Sequence, residues 1–308
     1  MPEKFEPLFM NFSAQTSANQ TQDILDAKFD KRRQGKDKDT GLDYTVWGPV
    51  LGKQFVIFID DLNMPKREIY GAQPPIELIR QWMDHRGWYD RKTLKMRQID
   101  DITFVGAMGP PGGGRNPVTN RILRHFHMLS FTEMSDDSMH RIFFTILDAC
   151  LAKFVDPVRS LSRDLVHATI DVYNSISKGL LPTPSKSHYT FNLRDVSKVI
   201  QGVLMAEPKR VTEAVQLVRL WTHECSRVFR DRLIDDADCT WFDNLVVEQV
   251  EGHFHMKYKE QILNAPRIIF GDYLVANADP KIYDQVSSME RLKKVVDEYL
   301  DEYNNVHK

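Results

Sequence analysis

The sequence predicts an α/β chain in which a parallel sheet crossed by helices occupies residues 1–134 and a helical part follows over residues 135–308. Three observations carry that expectation. Gln54-Phe55-Val56-Ile57-Phe58-Ile59-Asp60-Asp61 is an apolar run of strand length without polar alternation, the pattern of a strand buried on both faces of a parallel sheet. Strand-like and helix-like segments alternate around it, as they do in βαβ units. Beyond Phe131 the periodicity becomes helical and stays so.

The acidic end of the central run draws attention first. Ligands of open α/β sheets gather at the carboxyl ends of the strands, where Asp60 and Asp61 stand. In nucleotide hydrolases of this design the first acid supports Mg²⁺ or its water, and the second can orient the attacking water. From these two residues alone, a strand leaving into a solvated acidic turn reads equally well.

Composition narrows the class. With 308 residues, 42% hydrophobic and 27% charged, the chain can bury a large core in one big or two modest domains. A net charge of −2 gives no bulk attraction to nucleic acid. Cys150, Cys225 and Cys239 are odd in number and far apart, so neither a disulfide framework nor a CxxC metal site is indicated, and a reducing compartment is expected. No apolar run reaches the ~20 residues of a membrane span, and the first residues lack a basic stretch followed by an apolar one. A secreted or membrane-inserted product is not expected.

In chain order, Phe5 to Phe12 reads as a strand that runs through Ser13–Ser17 into a helix cap. The helix over Ser17 to Phe29 places Ile24, Leu25 and Phe29 on one face. Lys31 to Asp43 is a charged, glycine-containing run expected to form an exposed loop. Gly48-Pro49-Val50-Leu51-Gly52-Lys53-Gln54 imitates a phosphate-binding loop but fails as one. The spacing is a residue short, Gln54 replaces the hydroxyl, Pro49 lacks an N–H, and the segment leads into a strand. No other stretch supplies that cradle, the glycine-rich Gly109 to Arg115 included.

Ile76 to His85 is an amphipathic helix with Ile76, Ile79, Trp82 and Met83 on one side and Pro75 in its first turn. Gly87 to Arg97 reads as a surface excursion, followed by a strand over Asp101 to Met108. The loop Gly109 to Pro117 needs positive φ and forms a second wall of the same site. Val118 to Phe126 reads as a short basic helix before a strand over His127 to Phe131. Arg121 and Arg124 share a face of it, suited to phosphate or carboxylate or simply to surface ion pairs.

The helical part opens with Asp136 to Phe154, capped by Ser135 or Asp136 and carrying Met139, Ile142, Phe143, Ile146, Leu147 and Leu151. Further helices are expected over Val158–Ile176, Asn192–Met205, Lys209–Leu233, Phe242–Tyr258 and Met289–Asn304, with a short apolar element at Arg267–Tyr273. His223-Glu224 does not extend to HExxH, because position 227 is Arg227. His253 and His255 fall on different helical faces.

Several long strings, taken together and in order, resemble the AAA+ region of dynein heavy chains, most of all the third AAA+ module of axonemal dyneins. They are Asn11 to Ser17, Phe58 to Pro65, Tyr70 to Glu77, Gly106 to Pro117, Arg121 to His125 and Tyr189 to Asp195. The resemblance implies an AAA+ P-loop NTPase-type sheet over 1–134, from which the first strand and P-loop are missing, and a helical lid with a connector to the next module over 135–308. It makes Asp60 the Walker B aspartate that supports Mg²⁺, and puts Asp61 where hydrolytic modules usually carry glutamate. Gly109 stands in place of a polar sensor residue, usually asparagine. Arg121, with Arg124 as second choice, matches the arginine-finger region used on a neighbouring module, and Arg194 resembles the lid's second sensor arginine. A buried arginine paired to an acid such as Asp195 is the plainer reading of Arg194.

The implied cofactor is ATP or ADP with Mg²⁺, bound only with the upstream P-loop. The implied setting is a minus-end-directed microtubule motor of the ciliary or flagellar axoneme. Its partners would be neighbouring AAA+ modules, intermediate and light chains, and microtubules. Tight ATP binding or hydrolysis by this chain alone is not expected, and a stand-alone non-catalytic scaffold is the alternative.

Overall fold

The computed structural model describes residues 2–36, 43–112, 114–263, 267–274 and 281–307. The chain divides into two compact units, Met1–Phe131 and Thr132–Lys308. Each is built around its own hydrophobic core.

In the first unit the strands β1 (Phe5–Asn11), β4 (Gln54–Asp60) and β7 (Ile102–Gly106) form a parallel sheet in the order β1-β4-β7. The register runs from Phe5 opposite Gln54 to Asn11 opposite Asp60, and from Phe55 opposite Ile102 to Ile59 opposite Gly106. Between them come α1 (Ala18–Asp26), β2 (Asp30–Lys36), β3 (Asp43–Gly48), α2 (Pro74–His85), β5 (Gly87–Tyr89) and β6 (Met96–Ile99), and α3 (Asn120–Leu123) follows. Met10, Phe55, Ile57, Ile59, Ile102 and Phe104 are buried with Leu25, Ile76, Ile79 and Trp82 in one core. Ser17 caps α1 in a reciprocal box with Gln20, and Pro74 and Pro75 start α2, where a missing N–H costs nothing.

Several sequence expectations are corrected. β4 is buried on one face only: Val56 and Phe58 are half-exposed, and beside them Phe9 and Val105 are exposed. Among the described residues, that face is left partly open to solvent. The charged run after Asp30 is not a loop, since residues 31–36 belong to β2 and pair antiparallel with β3; residues 37–42 lie outside the described residues. A backbone ladder orders this segment, and one of its charges is largely buried: the Arg32 side chain pairs with Asp101 and donates to the Pro49 carbonyl. Gly87 to Arg97 is not a surface excursion either, because β5 and β6 join β2 and β3 in a second sheet of order β2-β3-β6-β5. Trp88, fully buried, donates to Asp26 Oδ1 at 3.0 Å. The guanidinium of Arg97 lies 4.4 Å from the Trp47 ring centroid and pairs with Asp26 and Asp90. Ile24 faces outward. The basic helix shrinks to the four residues of α3, and 127–131 form no strand, having no neighbour to pair with, so Leu129 and Phe131 are exposed.

The second unit holds α4 (Asp136–Leu151), α5 (Asp156–Arg159), α6 (Ser162–Gly179), α7 (Leu193–Leu204), α8 (Ala214–Val228), α9 (Asp236–His253), the two-residue strands β8 (Phe270–Gly271) and β9 (Asp284–Gln285), and α10 (Met289–Val306). Helix α4 packs on α6, α6 on α9, and α7 on α8. Met139, Phe143, Leu147 and Leu151 enter the core as the spacing predicts, whereas Ile142 and Ile146 are exposed. Trp221, fully buried, donates to Thr169 Oγ1 at 2.8 Å, which satisfies its only polar group. No residue of α10 is buried.

Candidate functional site

Asp60 ends β4 opposite Asn11, and its carbonyl accepts from the Phe12 N–H at 3.0 Å, so the backbone beneath it is fixed by the sheet. Its Oδ1 accepts from the Asp61 N–H at 2.9 Å. Asp61 then turns the chain out of the strand with φ +51°, a left-handed conformation that Asp and Asn adopt more readily than most residues. Both carboxylates are half-buried. Asp61 Oδ1 accepts from Arg115 Nη2 at 3.2 Å.

Two amides, Asn63 and Asn116, tie the turn after β4 to the loop after β7, and a third, Gln73, braces that turn from the start of α2. Asn63 donates through Nδ2 to the Gly109 carbonyl at 2.8 Å. Gln73 donates to the Pro65 carbonyl at 2.8 Å, and Asn116 Nδ2 reaches the same oxygen at 3.0 Å. The Asn116 N–H also donates to the Asn63 carbonyl at 3.0 Å. Buried polar groups persist when hydrogen-bonded, and these make the two loops one wall. Asn63, Gln73, Arg115 and Asn116 carry no motif of their own. Their signals are polar side chains inside segments otherwise rich in proline, glycine and apolar residues, and their place within the strings Phe58 to Pro65, Tyr70 to Glu77 and Gly106 to Pro117.

Arg121 in α3 and Arg124 at its end form a second cluster with acids of α2. Arg121 Nη2 donates to Glu77 Oε1 at 2.7 Å, and Arg124 Nη2 to Asp84 Oδ1 at 2.8 Å. Arg80 bridges the two acids, at 2.7 Å to Glu77 and 2.6 Å to Asp84, and His125 Nε2 approaches Asp84 at 2.9 Å. Burial by itself would raise the Asp84 carboxyl, but the hydrogen bond and charge of Arg124, with His125 and Arg80, hold it below the usual carboxylate range. Glu77 bonding raises the Arg80 guanidinium further. The side chains of Arg121 and Arg124 are 53% and 60% exposed, so both pairs are within reach of solvent and of another protein. Among the described residues, no hydrogen bond or ion pair joins this cluster to Asp60 and Asp61.

Arg194 belongs to the second unit. It sits in the first turn of α7, its N–H donating to the capping Asn192 side chain at 2.9 Å, and its own side chain is exposed. The buried Arg194–Asp195 pair is not what forms: Asp195 is paired with Arg232 at 2.7 Å and Lys198 at 3.5 Å.

Among the described residues, no group of three or more His, Cys, Asp or Glu side chains could hold a metal, and no helix is long and apolar enough to cross a membrane. Asp60 and Asp61 alone supply two carboxylates, so an ion held there would take its remaining ligands from water or phosphate oxygens.

Residues 1–134 match the family model described as the P-loop containing dynein motor region, and residues 165–265 match that of the AAA+ lid domain. The chain is 50% identical over 320 residues to dynein axonemal heavy chain 1 of Mus musculus, covering 100% of this chain and 7% of that protein. It is 50% identical over 315 residues to dynein axonemal heavy chain 1 of Homo sapiens, covering 97% and 7% respectively. It is 45% identical over 316 residues to dynein axonemal heavy chain 3 of Mus musculus, covering 99% and 8%. The chain thus spans less than a tenth of the length of these relatives.

Proposed function

The chain belongs to the axonemal dynein heavy chain family, as part of its AAA+ motor region, and on that premise we propose that it is a regulatory nucleotide-binding module whose site is completed by an upstream phosphate-binding loop. The observation that carries this reading is Asp60 beside Asp61 at the carboxyl end of a parallel strand, walled by the loop after β7. Asp60 uses Oδ1 on the backbone and would support Mg²⁺ with its other oxygen. Mg²⁺ neutralises phosphate charge when nucleotide is bound.

Hydrolysis by this site is expected to be weak or absent. Asp61 is a methylene shorter than glutamate, and Gly109 presents no polar side chain to a water. Arg121, or Arg124 in its place, would act in trans on the nucleotide of a neighbouring module, and Arg194 on this one's from the lid. Their exposure supports such roles. The division into a large subdomain over 1–134 and a lid with connector over 135–308, and the assignment to the third module, belong to the same proposal.

The missing cradle has a place to go. Among the described residues, the outer edge of β7 has no strand partner in the sheet, and Phe9 and Val105 are exposed on its open face. A parallel sheet is stable when both faces are covered. A strand on that edge followed by a helix on that face would bring their connecting loop to the carboxyl end of the strands, beside Asp60. In this reading the chain serves ATP-driven, minus-end-directed movement on microtubules in the axoneme, with neighbouring AAA+ modules and intermediate and light chains as partners.

Titration with a fluorescent ATP analogue, with and without Mg²⁺, tests it. The chain alone is expected to bind weakly, and a polypeptide extended upstream through a G-x-x-x-x-G-K-[ST] segment to bind tightly with Mg²⁺. Tight Mg²⁺-dependent binding by the chain alone overturns the dependence on an upstream loop. Failure of both polypeptides to bind leaves a scaffold role as the better account.

A further inference from the structure

We propose that Arg115 is the residue that recognises the terminal phosphate of the nucleotide at this site, an assignment that rests on the reading of Asp60 and Asp61 as a Mg²⁺-nucleotide site. Gly112 and Arg115 exchange N–H to carbonyl bonds at 3.0 Å each, a tight reversal that uses φ +124° at Gly112 and +88° at Gly114. That reversal lays the Arg115 side chain back across Gly109. A Cβ at position 109 would come within 2.9 Å of Arg115 Nε and 3.0 Å of Cδ. Glycine at 109 therefore makes room for a guanidinium at the carboxyl ends of β4 and β7, where ligands of such sheets lie.

The guanidinium is incompletely used. One N–H of Nη2 reaches Asp61 at 3.2 Å, in a pair whose side chains are each 38% exposed. Nε is buried and has no acceptor among the described residues. Nearby in the same wall, Asn63 is 1% exposed, and among the described residues its buried Oδ1 has no donor. Buried donors without acceptors are costly, so an unused arm of a planar fork marks a place for an acceptor supplied from outside. Phosphate oxygens match that fork in two-pronged fashion, and a single long contact to one carboxylate oxygen is a weak competitor. The backbone after Arg115 is pinned through Asn116 to Asn63 and Pro65, so the change is confined to one side chain.

The consequence is a choice between two anions. With a diphosphate bound, Arg115 stays on Asp61. With a triphosphate bound, it turns to the terminal phosphate and releases Asp61 toward the ion and its water. Arg115 and Gly109 thus form one device that makes the free carboxylate depend on nucleotide state.

The test uses the chain extended upstream through the phosphate-binding loop, with fluorescent ADP and a non-hydrolysable fluorescent ATP analogue in Mg²⁺. Arg115→Gln is expected to weaken the triphosphate about tenfold while the diphosphate stays within about twofold. Gly109→Ala, which pushes the guanidinium aside, is expected to do the same, and Arg115→Lys to fall between. A purely structural role would weaken both nucleotides together. An unchanged ratio of the two affinities, or a parallel loss of both, overturns the role of Arg115 and leaves the nucleotide site standing. A wild-type polypeptide that binds neither nucleotide overturns both.

Discussion

Asp195→Asn tests whether one buried carboxylate holds the first turn of α7, and with it the position of Arg194. Asp195 is 2% exposed. It accepts from Arg232 at 2.7 Å and 3.2 Å and from the Asn192 N–H at 3.1 Å, the second half of the capping box. Asparagine keeps the shape but removes the charge and turns an N–H₂ toward one of those donors. Breaking a buried pair costs about 3–5 kcal/mol and losing a cap about 1 kcal/mol. Arg232 is 24% exposed, so solvent recovers part of its loss, and the cap is only half removed. The net expectation is about 2–4 kcal/mol.

Urea unfolding followed by far-ultraviolet circular dichroism, which the helical unit dominates, should show a lower midpoint at an unchanged slope. The pH dependence adds a second check. Burial by itself raises the Asp195 carboxyl, but the Arg232 and Asn192 hydrogen bonds, with the charges of Arg232 and Lys198, bring it below the usual range. A depressed folded value gives stability that is complete above the unfolded carboxylate value of about 4 and lost as pH falls through the folded one. The gap between wild type and variant is therefore full at neutral pH and closes in acid below about pH 4. A neutral-pH gap under about 0.5 kcal/mol, or one that does not narrow in acid, refutes the reasoning.

Three other expectations can be checked separately. Gly202→Ala would set a Cβ 2.1 Å from the fully buried Glu224 carboxylate, which Arg227 and the Tyr283 hydroxyl already hold, and should cost at least about 1–3 kcal/mol. Gly252→Ala, in α9 with nothing within 4 Å, should instead gain up to about 1 kcal/mol; melting curves that move the same way for both would contradict this. Burial, and then Glu224, push the Cys225 thiol well above its ordinary value, so a thiol-exchange reagent should label the half-buried Cys150 and Cys239 first and Cys225 only on unfolding. Equal rates at all three would rule that out. In an assembled ring, Arg121→Ala should slow the neighbouring module's turnover by a factor on the order of 10³ while this module's nucleotide affinity holds; unchanged turnover removes Arg121 from that role.

The central strand was legible as an unbroken apolar run, and the long helices because burial enforces their period, as in Met139-Phe143-Leu147. The second sheet was not. Its strands are short or charged, and what orders them is backbone pairing plus contacts between residues distant in sequence, such as Arg97 with Trp47 and Trp88 with Asp26. No local pattern reports those. The strand expected at His127–Phe131 failed for the opposite reason: its composition is strand-like, but composition supplies no partner. At the site, Asp60, Asp61 and Gly109 could be read because they end or follow recognisable strands. Arg115 could not, since only the reversal at Gly112 and Gly114 returns it to Asp61.

The register of the parallel sheet also sets a clock. Phe5 waits for Gln54 and Phe55 waits for Ile102, so no rung of the ladder closes until a long connection has been synthesised. At the ~5–20 residues per second of translation, each closure lags its first strand by seconds. Helices of the second unit close their own bonds within a turn and need no such wait. The first unit is therefore made first yet ordered slowly, and during that interval β1 carries Phe9 and an unpaired backbone into a crowded cell. Holding that early strand apart from other chains is a demand that the topology places on the cell's chaperones.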